Sequence, residues 1–564
     1  MMKMKTRISF LFALLLVIAC SKDFTESPAV GALSDDALKN ATGVDLLLTG
    51  AYSTLNAQVN VGYGNYWGRA ADDWTADVLS DDAHKGSTDD DQADLKEIEL
   101  YNWDPGNGYW SARWGVLFAG ANRANAVIAL INSIEGGDFS AQLAEARFLR
   151  GHFNFQIQRY WGNVPYISEE NYANTEFNQP NSGPIWDKIE ADFSYAKENL
   201  PASQAEPGRP TKWTATAYLG KTYIYQSKFP AALAEFDAVI NSGAYALLPN
   251  YVDNFKAKGE NGTESVFAIQ FTTDSGQSFN SNSMGTLNFP NPGPFGSCCG
   301  FYQPTQDLAN AFQVDANGLP LLDTYNDQDI ANDYGINSDE SFTPHAGTLD
   351  PRIDYTVGRR GIDYNGYGVN VGKDWIRANF SDISGPYLGK KHVYHQDEAS
   401  ITQATGGWGE QLSGLNYHII RYADVILMAA EAAVEVGQLN KALDYVNQIR
   451  LRAKNSDVVL DEDGNPAANY SVEPYAAFAS ADYARKAVRF ERRIELGMEG
   501  QRLFDLRRWG TQVSTMNEYF DNEARTISNI AQKRSTVSDK HKLLPIPLQA
   551  IDLSGGVLTQ NPGY

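Results

Sequence analysis

Apolar residues recur every three or four positions along two consecutive segments of the chain. The first series is Trp114, Leu117, Phe118, Ala121, Ile128 and Ile131, and the second is Leu143, Ala146, Leu149, Phe153, Ile157 and Tyr160. This period is typical of amphipathic helices, each of which must bury its apolar stripe against another element. Few residues separate the two series, so we expect two helices that pack against each other.

The same period extends the helical interpretation to most of the chain. It covers Ile185 to Leu200, Trp213 to Gln226, Phe229 to Ile240, Ile419 to Val436 and Leu439 to Ala453. One pair carries tetratricopeptide offsets at Leu219, Gly220, Tyr223, Ala232 and Phe236, with small residues where two helices must approach closely. A weaker copy is Ile426, Ala430, Gly437, Ala442 and Val446, for which a generic helical hairpin is the alternative. The fold class is therefore mainly α, built from helix pairs of the kind that contact other proteins.

Between the two repeat regions, residues 245–416 are rich in Gly, Asn, Ser, Pro and aromatic residues. Such a composition predicts loops. Phe267, Ile269 and Phe271 alternate with other residues and predict one short strand. Long loops on a rigid helical scaffold commonly carry binding residues, so we place the ligand site in this loop-rich, minor-β insertion.

The N-terminal residues have the pattern of an export signal. Lys3, Lys5 and Arg7 precede an apolar run that ends at Cys20, and this run is too short to span a bilayer. Val17-Ile18-Ala19-Cys20 resembles a bacterial lipobox, which makes residues 1–19 the signal peptide and Cys20 the acylated first residue of the mature chain, 20–564. Secretion with an incidental cysteine is the alternative. Downstream, the most helix-like apolar stretch, 423–436, contains three acidic residues, so we expect no further segment that could span a membrane.

Charge excludes one class of partner. Lysine and arginine number 46 against 69 aspartate and glutamate residues, a formal net charge of −23 that becomes more negative when the cationic leader is removed. Such a chain is not expected to bind nucleic acid. The acidity suits a neutral or cationic solute. Three cysteines cannot supply a disulfide framework for a chain of this size.

Several sequence blocks follow one another along the mature chain: Ala144 to Arg150 with Tyr160 to Pro165, Gly208 to Lys212, Asp350 to Arg352, Ile420 to Ala432, Asn447 to Ala453, Glu491 to Trp509, Leu544 to Pro547 and Gln560 to Tyr564. In this order they resemble the SusD/RagB family of outer-membrane lipoproteins. The block from Glu491 to Trp509 is the most specific of them.

The resemblance implies a single SusD-like domain with tetratricopeptide-like helices at about 110–242 and 417–510 and a loop-rich ligand-binding region at about 245–416. It also implies a lipoprotein on the outer face of the outer membrane, held in the lipid by acylated Cys20. Its ligands would be oligosaccharides from polysaccharide breakdown, which it would deliver to a SusC-like TonB-dependent transporter. The alternatives are a surface lipoprotein that captures peptides or proteins through its repeats, and an exported glycosidase.

The sequence contains no nucleophile elbow, P-loop, His-Glu-x-x-His helix or paired Cys-x-x-Cys spacing. We therefore predict a binding protein without a cofactor rather than an enzyme. The Glu491 to Trp509 block is dense in Glu and Arg, but helical spacing favours a structural ion-pair network in which Arg492, Arg493 and Arg502 pair with Glu491 and Glu495. A cluster at 392–398, with two histidines and two acidic residues, could bind a metal, although a solvated polar loop is its commoner interpretation.

Binding a sugar requires flat apolar surfaces for its C–H faces and planar hydrogen-bonding groups for its hydroxyls. Candidate residues in loops are Tyr63, Asp82, Trp103, Asn107, Tyr302, Tyr367, Trp375, Arg377 and Trp408, with core packing as the alternative for each aromatic. Trp103 is favoured because the family resemblance implies a stacking aromatic just ahead of the helix that begins near Ser111. Cys298 and Cys299 are adjacent in the sequence. They form either a compact disulfide ring that could stack on a sugar or a pair of reduced thiols. We expect the ligand between Trp103 and the cysteine pair, with Arg377 and Asp82 among its polar contacts.

Overall fold

The structure, a computed structural model, describes residues 35–57, 74–273, 281–282, 284–296, 298–406 and 411–564. Its helices are α1 (Asp35–Leu38), α2 (Ala41–Tyr52), α3 (Trp74–Val78), α4 (Ala93–Glu99), α5 (Gly108–Asn132), α6 (Ser140–Trp161), α7 (Glu169–Ala173), α8 (Trp186–Asn199), α9 (Lys212–Ile224), α10 (Phe229–Asn241), α11 (Gln306–Asn310), α12 (Ile353–Thr356), α13 (Ala399–Thr402), α14 (Tyr422–Glu435), α15 (Leu439–Asn455), α16 (Ala481–Leu496), α17 (Arg502–Arg508), α18 (Gln512–Glu523), α19 (Ser528–Lys533) and α20 (Leu548–Leu553). Its strands are β1 (Ala83–Gly86), β2 (Ser265–Ile269), β3 (Phe301–Pro304), β4 (Val357–Gly358), β5 (Leu388–Gly389), β6 (Gln403–Thr405), β7 (Gln411–Ser413) and β8 (Tyr417–Arg421).

The predicted mainly helical fold is confirmed, and its helices begin and end where local signals direct. The Asn107 side chain caps α5 by accepting a hydrogen bond from the Tyr109 N–H. Thr211 and Thr214 form a reciprocal capping box at the start of α9. Each cap satisfies backbone N–H groups that a helix start otherwise leaves unpaired.

The helices pack as a continuous row. α5 packs on α6, α6 on α8, α8 on α9, α9 on α10 and α10 on α14, and α14 then packs against both α15 and α16. The predicted tetratricopeptide pair corresponds to α9 and α10. Gly220 allows their close approach, because a Cβ atom there would lie 2.7 Å from Cε1 of Phe236. A larger residue at 220 would force the two helices apart.

One helix departs from the expectation about membrane-spanning segments. α5 is long and apolar enough to cross a membrane, although half of its most apolar window is buried inside the protein. It packs along α6 and α2, and its Val116, Leu117, Ala124 and Ile128 are buried. Packing against neighbouring helices, rather than lipid, therefore accounts for its hydropathy.

The strands form small two-stranded antiparallel sheets. β1 pairs with β3, which sets Gly86 opposite Phe301, and β2 pairs with β8. The predicted strand is confirmed at β2, but it ends at Ile269, and the Phe271 N–H donates instead to the Asn416 side chain. The β1–β3 ladder lies next to the loops that carry several candidate binding residues.

Ion pairs buried around α16 lock the helical core. Glu495 accepts from three arginines, Arg352, Arg421 and Arg452, and all four residues are almost completely buried. Burial alone would raise the pKa of Glu495, but the three guanidinium groups outweigh it and hold the pKa well below its usual range. The carboxylate is therefore charged at neutral pH and joins three separate segments of the chain.

The predicted network is thus present, but its predicted pairings are wrong. Arg492 pairs with Asp424 and Asp505, Arg493 pairs with Asp81, Asp82 and Asp307, and Arg502 pairs with Asp81. Consecutive helical residues point in different directions, so neighbours on α16 reach different elements. The arginines that meet Glu491 and Glu495 come from distant parts of the sequence.

Candidate functional site

Three of the predicted site residues, Cys20, Tyr63 and Trp408, lie outside the described residues. The others fall into two groups, one buried in the core and one at the surface beside the cysteine pair.

Trp103 belongs to the core, which corrects the expectation that it stacks on ligand. Its side chain is only 4 % exposed. The indole Nε1–H donates to the Tyr564 hydroxyl at 2.9 Å, and its ring lies 4.7 Å from that of Tyr101 and 5.7 Å from that of Trp110. No face of this ring is open to a sugar, because the C-terminal residue and the neighbouring aromatics cover it.

Asp82, Asn107 and Tyr302 are also structural. Asp82 is fully buried and accepts from Arg493 Nε at 2.9 Å. Asn107 caps α5, and the buried Tyr302 hydroxyl donates to Asp77 at 2.6 Å. Residue type and position in an irregular segment predict a binding role for all three, but their polar groups instead hold the scaffold together.

The cysteine pair lies at the entrance to β3. The sulfur atoms of Cys298 and Cys299 lie in bonding contact, which favours the oxidised alternative. Cys298 is partly exposed whereas Cys299 is buried. The following residue, Gly300, accepts a backbone hydrogen bond from the Ser87 N–H and so fixes the turn against the end of β1.

Arg377 connects this turn to the loop after β1. Its Nη1 donates to the Asp91 carboxylate at 2.6 Å and to the Ser87 hydroxyl at 2.9 Å, and it lies 3.5 Å from the Cys299 carbonyl oxygen. The side chains of Arg377 and Asp91 remain 34 % and 30 % exposed. They therefore form a charge-assisted pair at the surface, within reach of a solute.

Trp375 extends the same surface. A Cβ atom on Gly293 would lie 3.5 Å from Cγ of Trp375, and one on Gly300 would lie 3.4 Å from Cβ of Arg377. Residues 375–377 thus run alongside the loop that carries the cysteines. Trp375 is half-buried, and its inner edge packs at right angles on Tyr364.

A small satellite core holds this loop in place. Phe289 and Phe295 are buried in contact with each other and with Tyr394, and Phe295 also packs on Tyr367. Tyr367 is therefore a support for the loop rather than a freely presented ring. We call the four partly exposed residues beside this small core, Asp91, Cys298, Trp375 and Arg377, the cysteine-turn surface.

The loop that presents Asp91 is closed by a buried cation. Lys85 is fully buried, and its Nζ donates to three backbone carbonyls: Gly86 at 3.0 Å, Thr88 at 2.8 Å and Asp91 at 2.7 Å. Burial lowers the pKa of this ammonium to about 8. The same Nζ lies 4.9 Å from the ring centroid of Phe301, so Lys85 ties the loop to β3.

His84 anchors the other side of β1. Its Nδ1 lies 2.8 Å from Glu99 and its Nε2 lies 3.5 Å from Glu523. Burial opposes charging of the ring, but the interactions with Glu523 and Glu99 outweigh it and raise the pKa of His84 to about 9. A charged imidazole between two carboxylates therefore fixes the strand from which the site loop departs.

The cysteine-turn surface has the groups that a sugar requires. Trp375 and the disulfide offer flat apolar contact, while the ion pair offers donors and acceptors. Within the described part of the chain, Arg377 Nε and Nη2 and Asp91 Oδ1 make no hydrogen bond, so guanidinium N–H donors and a carboxylate oxygen remain for sugar hydroxyls.

The polar cluster at 392–398 does not form a metal site. His392 Nε2 interacts with the Met498 carbonyl, Asp397 pairs with Lys256, and Glu398 accepts from the backbone N–H groups of 257 and 258. Among the residues that the structure describes, no group of three or more His, Cys, Asp or Glu side chains could hold a metal ion.

Sequence reasoning missed three residues of the site: Lys85, Ser87 and Asp91. One signal was available, since the run Asp89-Asp90-Asp91 follows Gly86-Ser87 at the end of a short strand. Acidic residues after a turn are favoured positions for polar contacts. Nothing in the local sequence, however, places this loop beside residues 298–300 and 377.

Comparison with known proteins finds family matches and relatives along most of the chain. Residues 263–564 match the model described as "SusD family", and residues 35–224 match one described as "Starch-binding associating with outer membrane". A SusD-like protein P2 of Formosa agariphila is 26 % identical over 584 residues, which cover 99 % of this chain and 100 % of that protein. A SusD-like protein of Bacteroides ovatus is 26 % identical over 74 % of this chain and 68 % of that protein.

Solved structures share the fold at lower identity. A SusD-like carbohydrate binding protein from Bacteroides fragilis has a TM-score of 0.70 at 20 % identity, with 92 % of this chain and 99 % of that chain covered. A laminarin binding SusD-like protein has a TM-score of 0.65 at 22 % identity, with coverage of 93 % and 100 %. Surface glycan-binding protein A from Bacteroides thetaiotaomicron, in complex with laminarihexaose, has a TM-score of 0.61 at 20 % identity, with coverage of 92 % and 99 %.

Proposed function

The chain belongs to the SusD family, and from this premise we propose that it is a cell-surface lipoprotein that binds oligosaccharides on its cysteine-turn surface and delivers them to a SusC-like transporter. The observation that carries the binding part is the exposed cluster of Trp375, the Cys298–Cys299 disulfide and the Arg377–Asp91 pair. The protein acts by capture and release, without breaking a bond in the ligand.

The supporting contacts fit a preformed sugar site. The Phe289–Phe295 core and the Lys85 carbonyl contacts hold both loops in place before any ligand arrives. A surface that is already ordered loses less conformational entropy on binding than one that must fold around its ligand. Related proteins are named for carbohydrate, laminarin and glycan binding, and this ligand class agrees with the chemistry of the surface.

Membership of the same family also supports the proposed membrane attachment and the proposed partner. One matching family is described as associating with the outer membrane. In our proposal residues 1–19 are removed, Cys20 is acylated, and the mature domain 20–564 faces the exterior beside a SusC-like TonB-dependent channel. The helix row that includes α9 and α10 supplies a rigid body for contact with that channel.

A specific observation favours protein capture as a second candidate function. A surface groove of about 290 Å³ is lined by apolar residues that include Trp114, Phe118 and Leu553. Leu553 is 80 % exposed and Phe177, at the same groove, is 43 % exposed. Exposed apolar surface of this kind is typical of contacts with proteins.

Binding measurements on residues 21–564 separate the two candidates. We expect a hexaose such as laminarihexaose, maltohexaose or cellohexaose to bind by calorimetry, and Trp375→Ala to weaken binding by about 1–3 kcal/mol, the cost of truncating an aromatic anchor. Phe177→Ala, which truncates an exposed ring in the apolar groove, is the matched control and should leave sugar affinity unchanged. Peptide binding that depends on Phe177, with no oligosaccharide binding, would instead support protein capture.

The transporter contact is tested by affinity purification in mild detergent from cells that express the full chain. We expect a large β-barrel protein to co-purify. A lipoprotein that elutes alone at every detergent concentration would contradict this part of the proposal.

A further inference from the structure

We propose that Lys85 is a positioning residue for sugar binding, and that oligosaccharide affinity falls when its buried ammonium group loses a proton. This inference rests on the proposed function and adds a residue that controls it. Lys85 does not touch the ligand, because its side chain is completely buried. It acts through the loop between β1 and α4, which presents Asp91 at the cysteine-turn surface.

The hydrogen bonds of Lys85 Nζ span this loop. Gly86 is the last residue of β1, Thr88 follows it in the loop, and Asp91 lies two residues before α4. The Asp91 carbonyl accepts from Nζ at 2.7 Å, and its carboxylate accepts from Arg377 Nη1 at 2.6 Å. Asp91 is thus bound to the buried ammonium group through its backbone and to the surface arginine through its side chain. The position of its carboxylate therefore depends on Lys85.

An ammonium group suits this arrangement, whereas a neutral amine does not. The charged form has three N–H donors, one for each carbonyl oxygen. The neutral form has two donors and a lone pair that would face the third oxygen, so at least one of the closing hydrogen bonds is lost. The two that remain are weaker, because hydrogen bonds from a charged donor are about twice as strong as those between neutral groups. Loss of the proton should therefore loosen the loop and displace Asp91 from its place beside Arg377.

The surroundings of Lys85 bring this proton loss into an accessible pH range. Burial is the largest effect and lowers the pKa of the ammonium to about 8, although three nearby carboxylates oppose it. The ring of Phe301, on β3, lies 4.9 Å from Nζ. The charged and titratable groups that face Lys85 or its loop are Glu99 and Lys96 on α4, Asp89 and Asp91 in the loop, His84 on β1 with its partner Glu523, Arg377 beside Asp91, and Lys533 on α19 beside Asp89. Because binding favours the charged form, affinity should be constant well below this pKa and fall as pH rises through it.

Calorimetry with residues 21–564 tests this coupling from about pH 6.5 to about pH 9, where His84 also begins to lose its proton. The probes are laminarihexaose, maltohexaose and cellohexaose, whose hydroxyls do not titrate in this range. We expect the affinity of any hexaose that binds to fall by about three- to tenfold over the range. Near the pKa of Lys85, binding should also take up part of a proton, which is measured from the dependence of the binding enthalpy on the buffer.

The two proposals fail in different ways. Binding of no hexaose at any pH would overturn the proposed function and this inference together. Binding that neither weakens with pH nor takes up a proton would overturn the inference alone and leave oligosaccharide capture intact.

Two variants assign the coupling to Lys85. Lys85→Met lacks the charge at every pH, so its affinity at neutral pH should be about tenfold lower than that of wild type, with no further fall near pH 8. Lys85→Arg stays charged throughout and should also lose the pH dependence. Melting curves show which variants are folded, and Lys85→Arg together with wild type decides the matter if Lys85→Met does not fold.

Lys390 provides a matched control. It is also buried, its Nζ donates to the carbonyls of Asp354 and Asp363, and burial lowers its pKa to about 8. Lys390→Met should therefore keep the pH dependence of wild type. A pH dependence that persists in the folded variants of Lys85, or one that disappears in Lys390→Met, would overturn the inference.

Discussion

Replacement of Trp103 by alanine should destabilise the folded protein rather than weaken its sugar binding. The side chain is 4 % exposed and lies among the rings of Tyr101, Trp110 and His541. Truncation of a buried aromatic to alanine costs about 3–5 kcal/mol through lost transfer free energy and the cavity left behind. The hydrogen bond to the Tyr564 hydroxyl adds about 0.5–1.5 kcal/mol, so we expect a total loss of about 3.5–6.5 kcal/mol.

Two further variants separate the contribution of ring packing from that of the hydrogen bond. Trp103→Phe keeps most of the aromatic volume. We therefore expect it to lower the free energy of unfolding by less than half as much as Trp103→Ala does. Tyr564→Phe keeps the ring but leaves the indole N–H of Trp103 without an acceptor, a change worth about 1–3 kcal/mol. Because the two residues share one hydrogen bond, the effects of Tyr564→Phe and Trp103→Phe should be less than additive.

Urea unfolding followed by tryptophan fluorescence and circular dichroism measures these differences, and calorimetry on the folded fraction measures affinity. We expect the unfolding midpoint of Trp103→Ala to fall sharply while the affinity of folded protein for oligosaccharide stays within about twofold. An unchanged midpoint together with lost affinity would refute the core assignment and return Trp103 to the binding site.

Other changes test the buried charges and the anchor. Glu495→Gln leaves Arg421 and Arg452 without their shared carboxylate, and we expect the free energy of unfolding to fall by about 3–5 kcal/mol in urea titration; a fall of under about 1 kcal/mol would contradict the network's role. The raised pKa of His84 gives a stabilisation that is complete below about pH 6.5 and is lost as pH rises through about 9. The stability difference between wild type and His84→Gln should therefore shrink by roughly 3 kcal/mol over that range, and a pH-independent difference would exclude a charged His84. Cys20→Ala should move the protein from the membrane to the soluble fraction, and unchanged membrane attachment would exclude acylation at this residue.

The helices were predictable because their signal is local. The apolar period around Phe153 or Phe236 is imposed by the burial of one helical face, so it is legible without knowledge of the partner. The partners of the buried ion pairs could not be predicted from such a local pattern. Glu491 pairs with Arg352 and Arg450, and Glu495 pairs with Arg352 and Arg421. These arginines lie 41 to 143 positions away from the glutamates in the chain.

The residues of the candidate site also differ in whether the local sequence could predict their positions. Their position in a Gly-rich loop region makes Arg377 and the cysteine pair candidates, and Arg377 does lie beside the cysteine turn, with Cys298 partly exposed and Cys299 buried. Trp103 and Tyr302 satisfied the same criterion of residue type in an irregular segment, yet tertiary packing buries both. Whether a loop aromatic faces solvent depends on which distant segment covers it, and for Trp103 that segment is the C-terminal residue itself.

The buried ammonium of Lys85 has a consequence for how the site responds to its surroundings. Loops closed by several converging carbonyls often hold a dissolved cation such as calcium, whose occupancy varies with its concentration. Here the cation is covalently attached to the chain, so it pays no translational entropy to bind and cannot be removed by dilution. We therefore expect the loop that presents Asp91 to keep its shape in chelator and across wide changes in salt concentration.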